Sequence, residues 1–139
     1  MNKGDFQIDF LDHVAIRVKS LSRSAQWYEE VLGLKKYEIP EWGKYPIFMM
    51  SGRTGVALFP ARRSHPRFIR GSKNVRIDHF AFNVSEENFQ RAKDRLENLR
   101  IRFKEQDHIY FKSLYFHDPD GHEVELTTLR VKPEDFYQE

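Results

Sequence analysis

The sequence predicts an α+β fold made of two tandem copies of one β-α-β-β unit, and three observations predict it. Residues 11–18 read Leu-Asp-His-Val-Ala-Ile-Arg-Val, and residues 77–84 read Ile-Asp-His-Phe-Ala-Phe-Asn-Val. An internal repeat of this length sets the architecture before any single element does. Each copy alternates with period two, so Val14, Ile16 and Val18 share one face and His13, Ala15 and Arg17 the other. Each copy is followed by a segment of helical spacing and then by two strand-like runs joined by turn residues.

The first helix starts at a Ser20 or Ser22 cap, carries Ala25, Tyr28, Val31 and Leu32 on one stripe, and ends at Gly33. The second starts at Ser85, with Glu86 and Glu87 favourable at the positive end of the helix dipole. Its stripe is Phe89, Ala92, Leu96 and Leu99. Strands are expected at 46–50 and 56–59 in the first unit, and at 113–117 and 123–128 in the second. A further short strand is expected in each, near 35–39 and near 101–105, completing β-α-β-β-β. Asp118-Pro119-Asp120-Gly121 reads as a tight turn, because Pro presets φ and Gly tolerates a positive one. The whole chain, 1–139, is expected to be one domain of two modules, about 10–60 and 77–129. A basic loop, 61–76, joins them and holds seven Lys, Arg or His residues.

Composition narrows the function classes. A chain of 139 residues with 40% hydrophobic and 14% aromatic content is long enough for a real core and too rich in aromatics to be disordered. Cysteine is absent, which excludes disulfides, zinc ribbons and a thiol nucleophile, and confines any metal site to nitrogen and oxygen ligands. A net charge of +2 is not the footprint of a dedicated nucleic-acid binder, and the basic loop holds only one aromatic, Phe68, for stacking. No apolar run reaches membrane-spanning length, and the N-terminal residues have no signal-peptide core. A soluble cytoplasmic protein without a nucleic-acid or membrane partner is the expectation.

Four stretches carry a family resemblance. They are Leu-Asp-His-Val-Ala from Leu11, Trp-Tyr-Glu-Glu-Val-Leu-Gly-Leu at 27–34, Ile-Asp-His-Phe-Ala from Ile77, and Tyr-Phe-His-Asp-Pro-Asp-Gly-His-Glu-Val-Glu-Leu at 115–126. Together they resemble the vicinal oxygen chelate superfamily, which includes glyoxalase I, extradiol dioxygenases, fosfomycin-resistance enzymes and bleomycin-resistance proteins. The resemblance implies a cupped mixed sheet whose concave face holds a divalent metal. It places the metal ligands at His13, His79 and Glu125, with Glu123 as the fallback acid. A lone strand His is ordinarily structural, but three hits at congruent positions of a repeat argue for a site. Two imidazoles and one carboxylate suit Fe(II) first, and also Mn, Ni, Co or Zn, with open positions for a substrate.

Within that family the reading favours an extradiol, catechol-type ring-cleaving dioxygenase. The dioxygenase signature is matched by His108, Leu114-Tyr115, Asp118-Pro119-Asp120-Gly121 and Glu125; Gln106 departs from it, standing where Gly, Asn, Thr, Ile or Val is usual. The resemblance also implies a catalytic His about fourteen residues before the second metal His, and His65 stands there. His65 is then the acid or base, Tyr115 a hydrogen-bond donor to substrate, and His108 a pocket residue. Arg17, Arg63 and Arg67 are expected to bind an anionic substrate. A glyoxalase-like lyase or isomerase is the alternative enzyme, though the segment 56–59 lacks the fourth acidic ligand of glyoxalase I. Fosfomycin transferases carry a Thr where this chain has Ala15, and a potassium loop that 107–112 does not resemble; that reading is ranked lower. A metal-free ligand-binding protein of the bleomycin-resistance kind is the non-enzymatic alternative. A homodimer acting on a small molecule is expected.

Overall fold

Alternation along β1 (His13–Val18) puts Ile16 and Val18 into the core and leaves His13, Ala15 and Arg17 on the opposite, exposed face. The computed structural model describes residues 5–63, 66, 69 and 71–137. The chain divides into two units, Met1–Arg62 and Arg63–Glu139.

In the first unit β1 leads into α1 (Leu21–Leu32), β2 (Lys35–Glu38), a short 3-10 turn (Pro40–Trp42), β3 (Ile47–Ser51) and β4 (Thr54–Pro60). Ser20 is the cap: its Oγ accepts from the Arg23 N–H at 3.2 Å. Gly33 ends the helix at φ 68, and its N–H donates to the Glu29 carbonyl at 2.9 Å. The strands lie in the order β1-β4-β3-β2, with β1 parallel to β4 and the other pairs antiparallel. Gly55 is required where it pairs with His13, because a Cβ there would stand 2.1 Å from the Met49 carbonyl oxygen. Tyr28 and Val31 of α1 are buried with Val18, Met49, Val56 and Leu58.

The second unit repeats the plan. Its elements are β5 (Phe80–Asn83), α2 (Glu86–Asn98), β6 (Lys104–Asp107), β7 (Phe111–His117), β8 (Glu123–Leu129) and the short α3 (Pro133–Phe136). The order is β5-β8-β7-β6, with β5 parallel to β8. Ser85 caps α2 by accepting from the Asn88 N–H at 3.1 Å. Phe89 and Leu96 of α2 are buried, as are Leu114, Phe116 and Val124 of the sheet. Leu99, expected on the same stripe, is 38% exposed because the helix ends at Asn98. Arg100 then takes a left-handed φ of 56, and the Ile101 N–H turns back to the Leu96 carbonyl at 2.9 Å. That turn delays the strand expected near 101–105 until Lys104, where pairing with Tyr115 begins. The 3-10 turn and α3 have no counterpart in the sequence reading. Among the described residues, no helix is long and apolar enough to cross a membrane.

The Asp-Pro-Asp-Gly segment is the β7–β8 turn. The Asp118 carboxylate is buried and accepts from the backbone N–H groups of Asp120 and His122, both at 2.9 Å. Gly121 adopts φ 97, and its N–H donates to the Asp118 carbonyl at 3.0 Å. The turn sets the register in which His117 faces Glu123 and Tyr115 faces Glu125.

Two substitutions separate the core from the turn, each read by urea unfolding followed by far-UV circular dichroism. Phe116→Ala empties a fully buried position and is expected to cost about 3–5 kcal/mol. Asp118→Ala removes the acceptor for two turn N–H groups and is expected to cost roughly 1–3 kcal/mol.

Candidate metal centre

In the second unit the pleat gathers one polar face. Glu125 pairs with Ala81 of β5 on one side and with Tyr115 of β7 on the other. Paired residues share a face, and so do residues two apart. His79, Glu123, Glu125, Thr127, Ser113 and Tyr115 therefore line one side of the sheet, while Phe80, Val124, Leu126, Leu114 and Phe116 line the other. Only Gly55 and Ala57 stand at the register positions in β4 that Glu123 and Glu125 hold in β8, and Phe48 stands at that of Tyr115. The first module thus repeats the histidine without the acids.

His79 is the centre of the group. Its Nδ1 lies 2.8 Å from Asp78 Oδ2, and since a carboxylate only accepts, Nδ1 carries the hydrogen. Its Nε2 lies 2.9 Å from Glu125 Oε1. Glu123 Oε2 is 4.0 Å from Nδ1, so Glu123 approaches the Asp78 side of the ring and Glu125 the other. Asp78, His79 and Glu123 also bring ligand atoms within 4.8 Å of one another. Burial alone would lower the His79 pKa. The hydrogen bond to Asp78 and the charges of Glu125, Glu123 and Asp78 outweigh it and hold the ring above the usual histidine value.

Glu125 is only 5% exposed, and an unpaired carboxylate so buried would cost several kcal/mol. Its second oxygen, Oε2, accepts from Ser113 Oγ at 2.6 Å, and Thr127 Oγ1 lies 3.2 Å from that Oγ. The Tyr115 ring meets His79 edge-on, with centroids 5.7 Å apart. Its hydroxyl is 2.9 Å from His108 Nε2. Burial, followed by the nearby Glu125 charge, raises the Tyr115 pKa and keeps the phenol protonated. His108 is placed for this by stacking on Phe111, 4.7 Å away, and by its N–H bond to the Phe111 carbonyl.

His13 repeats the His79 arrangement in its own unit: Nδ1 lies 2.8 Å from Asp12 Oδ1. Its ring packs at 5.1 Å on Phe48, which Trp42 meets edge-on at 5.5 Å. Arg17 shares the His13 face but lies four residues along the strand, roughly 13 Å at the usual rise. Its guanidinium donates to the Pro60 carbonyl at 3.0 Å and lies over the Phe59 ring. Arg63 is exposed. His65 and Arg67 lie outside the described residues.

Of the residues expected from sequence, the structure brings together His79, Glu125, Tyr115 and His108. Asp12, Asp78, Ser113 and Thr127 were not singled out as site residues. The signal for the aspartates was present, since Asp precedes His in both copies of the repeat. Ser113 was reachable from period-two alternation back from Tyr115.

Residues 10–126 match the model of the Glyoxalase/Bleomycin resistance protein/Dioxygenase superfamily. The glutathione transferase FosA of Serratia marcescens is 32% identical over 118 residues, 84% of this chain and 78% of that protein. The metallothiol transferase FosB of Staphylococcus epidermidis is 28% identical over 130 residues, 91% of this chain and 86% of that protein. Among solved structures, a glyoxalase/dioxygenase from Nostoc punctiforme superposes with a TM-score of 0.77 at 21% identity, covering 94% of this chain and 98% of that one.

These curated relatives are thiol transferases, and they overturn the extradiol dioxygenase reading and the low rank given to the transferases. The reason for the error is physical. The Asp-Pro-Asp-Gly part of the dioxygenase signature forms the hydrogen-bonded β7–β8 turn, and Glu125 follows it at the register position opposite Tyr115. That pattern reports the fold and the carboxylate position, not the reaction. The repeated module, the strand order shared by both units and the match over residues 10–126 agree: the chain belongs to the Glyoxalase/Bleomycin resistance protein/Dioxygenase superfamily.

Proposed function

We propose that this protein is a divalent-metal-dependent transferase that adds a thiol to a small electrophile. The observation that carries the metal is the 2.9 Å approach of His79 Nε2 to Glu125 Oε1. With Nδ1 donating to Asp78, a neutral ring presents its Nε2 lone pair to a carboxylate oxygen. Two acceptors at that distance require a cation between or upon them: a proton on Nε2, or a metal ion held by both. His79 Nε2 and Glu125 Oε1 would be the donor atoms that hold such an ion, and an imidazole with a carboxylate suits a divalent metal. His13 presents the same Asp-held imidazole in its own unit. Imidazole and carboxylate donors accept Mn, Fe, Co, Ni or Zn alike.

A bound divalent ion supplies Lewis acidity toward a substrate oxygen. The chain's own residues do the rest. Ser113 holds Glu125 in place from behind through Oε2. Tyr115 keeps its proton, 2.9 Å from His108 Nε2. In the transfer the thiolate sulfur forms a C–S bond as a C–O bond of the electrophile breaks. The released oxygen takes the Tyr115 proton, and His108 returns one from solvent. The thiol-transfer chemistry itself is supported by the names of the FosA and FosB relatives. Ala15, on the His13 face, lacks the hydroxyl expected of a fosfomycin transferase, so the electrophile is sought in a panel.

The test is Mn(II)-loaded protein incubated with glutathione and other small thiols against epoxides carrying phosphonate or carboxylate groups, with adducts read by mass spectrometry. A metal-dependent adduct is expected, and His79→Ala and Glu125→Gln are expected to lower kcat/KM by more than about 100-fold, beyond the loss of an outer-shell partner. Stoichiometric metal with no adduct from any pair overturns the transferase reading, and failure to bind any divalent ion removes the metal as well. Tyr115→Phe separates the proton donor from the ligands: kcat is expected to fall by roughly 100-fold while Mn(II) affinity stays within about threefold.

A further inference from the structure

Both candidate ligand histidines are preceded by an aspartate, and the structure uses the two aspartates in the same way. Asp12 Oδ1 lies 2.8 Å from His13 Nδ1, and Asp78 Oδ2 lies 2.8 Å from His79 Nδ1. The contact joins adjacent residues of an extended chain, whose side chains ordinarily point to opposite faces. Each aspartate sits just outside its strand, since β1 begins at His13 and β5 at Phe80, and there it can fold back onto the ring. In the second unit the aspartate is itself gripped. Arg76 Nη2 donates to Asp78 Oδ1 at 3.1 Å, leaving Oδ2 for the histidine. The same guanidinium donates to the carbonyls of Ser72, Ile77 and Asp78. Arg76 therefore ties the approach to β5 into one piece and points the carboxylate at the ring. The Asp12 carbonyl is tied to the sheet by the Gly55 N–H at 3.1 Å.

We propose that Asp12 and Asp78 are positioning residues that hold His13 and His79, each in its own unit, as the Nδ1–H form with Nε2 free to bind a metal ion, and that Arg76 anchors Asp78 for this purpose. The inference rests on the metal site proposed above. A histidine ligand whose other nitrogen donates to a carboxylate is fixed in tautomer and ring angle and is a stronger base toward the metal. Asp78 could instead be a ligand itself, grouped with His79 and Glu123. The hydrogen-bond length to Nδ1 favours the positioning role, because that contact is already filled by the ring proton.

The experiment is Mn(II) titration followed by water-proton relaxation, together with long-range 15N NMR of the histidine side chains in the metal-free protein at a pH where His79 is neutral. It is run on wild type, Asp78→Ala, Asp78→Asn, Asp12→Ala and Arg76→Met, with far-UV circular dichroism as the fold check. Asp78→Ala and Asp12→Ala are each expected to weaken Mn(II) binding by roughly 10–100-fold. Each is also expected to shift its own histidine toward the Nε2–H form. Asp78→Asn retains an acceptor and is expected to keep the tautomer and recover part of the affinity. Arg76→Met is expected to give a smaller loss in the same direction. Weakened binding with the His79 tautomer unchanged in Asp78→Ala, or an Asn variant as weak as the Ala one, overturns the positioning role in favour of direct ligation. Wild-type affinity in Asp78→Ala overturns it outright. His79→Ala is the separate control: if it binds Mn(II) as wild type does, the metal site itself fails, whatever the aspartates do.

Discussion

The register of β8 between β5 and β7 is the constraint on which the second module depends. Glu125 is in line with Ala81 and Tyr115, while its neighbours Val124 and Leu126 are buried on the opposite face. A slip of one residue would turn Glu125 into the apolar layer beneath α2 and bring Val124 out to His79. Burial of Phe116, Leu114 and Val124 therefore does more than stabilise the module. It selects the one register in which a carboxylate, a phenol and an imidazole share a face. The Asp118 turn enforces the same choice locally, since its hydrogen bonds fit only when His117 faces Glu123.

The polar face illustrates how a costly arrangement is made tolerable. A carboxylate at 5% exposure is sustained by Ser113 on one oxygen and His79 on the other. His79 in turn is drawn upward in pKa by the acids around it, in spite of its own burial. The acidic surroundings welcome positive charge on or near Nε2, whether a proton or a metal carries it. The first module keeps the strand order and the Asp-His pair but places Gly55, Ala57 and Phe48 where the second has Glu123, Glu125 and Tyr115. The two copies of the repeat have diverged: one keeps a histidine on an aromatic wall, and the other carries Glu123, Glu125 and Tyr115 on the same face as its histidine.

Several parts of this were legible in the chain. Ser20, Gly33 and Ser85 act as the helix boundaries that their chemistry suggests, because capping is decided by neighbours within four residues. His79 was legible through the repeat, and Glu125 through the family resemblance, alternation alone placing Glu123 and Glu125 on one face. The strand after α2 was placed too early because Arg100 adopts a left-handed turn that glycine usually signals. The reaction is not legible in the chain: the Asp118 turn and the register that brings Glu125 opposite Tyr115 belong to the hairpin and do not mark ring cleavage. Nothing in residues 115–125 alone distinguishes those uses.

The sequence by itself therefore determined what local chemistry governs: two β-α-β-β-β modules, their caps and turns, and which residues face away from the apolar row. Only the tertiary structure decided which groups meet. That Glu125 faces the Nε2 of His79 depends on pairing between β5 and β8, strands distant in the chain. That Ser113 holds the far oxygen of Glu125 and His108 reaches the Tyr115 hydroxyl depends on the register of the two hairpins that follow α2. Periodicity assigns a residue to a face. Register, set by the burial of the opposite face, assigns it a partner.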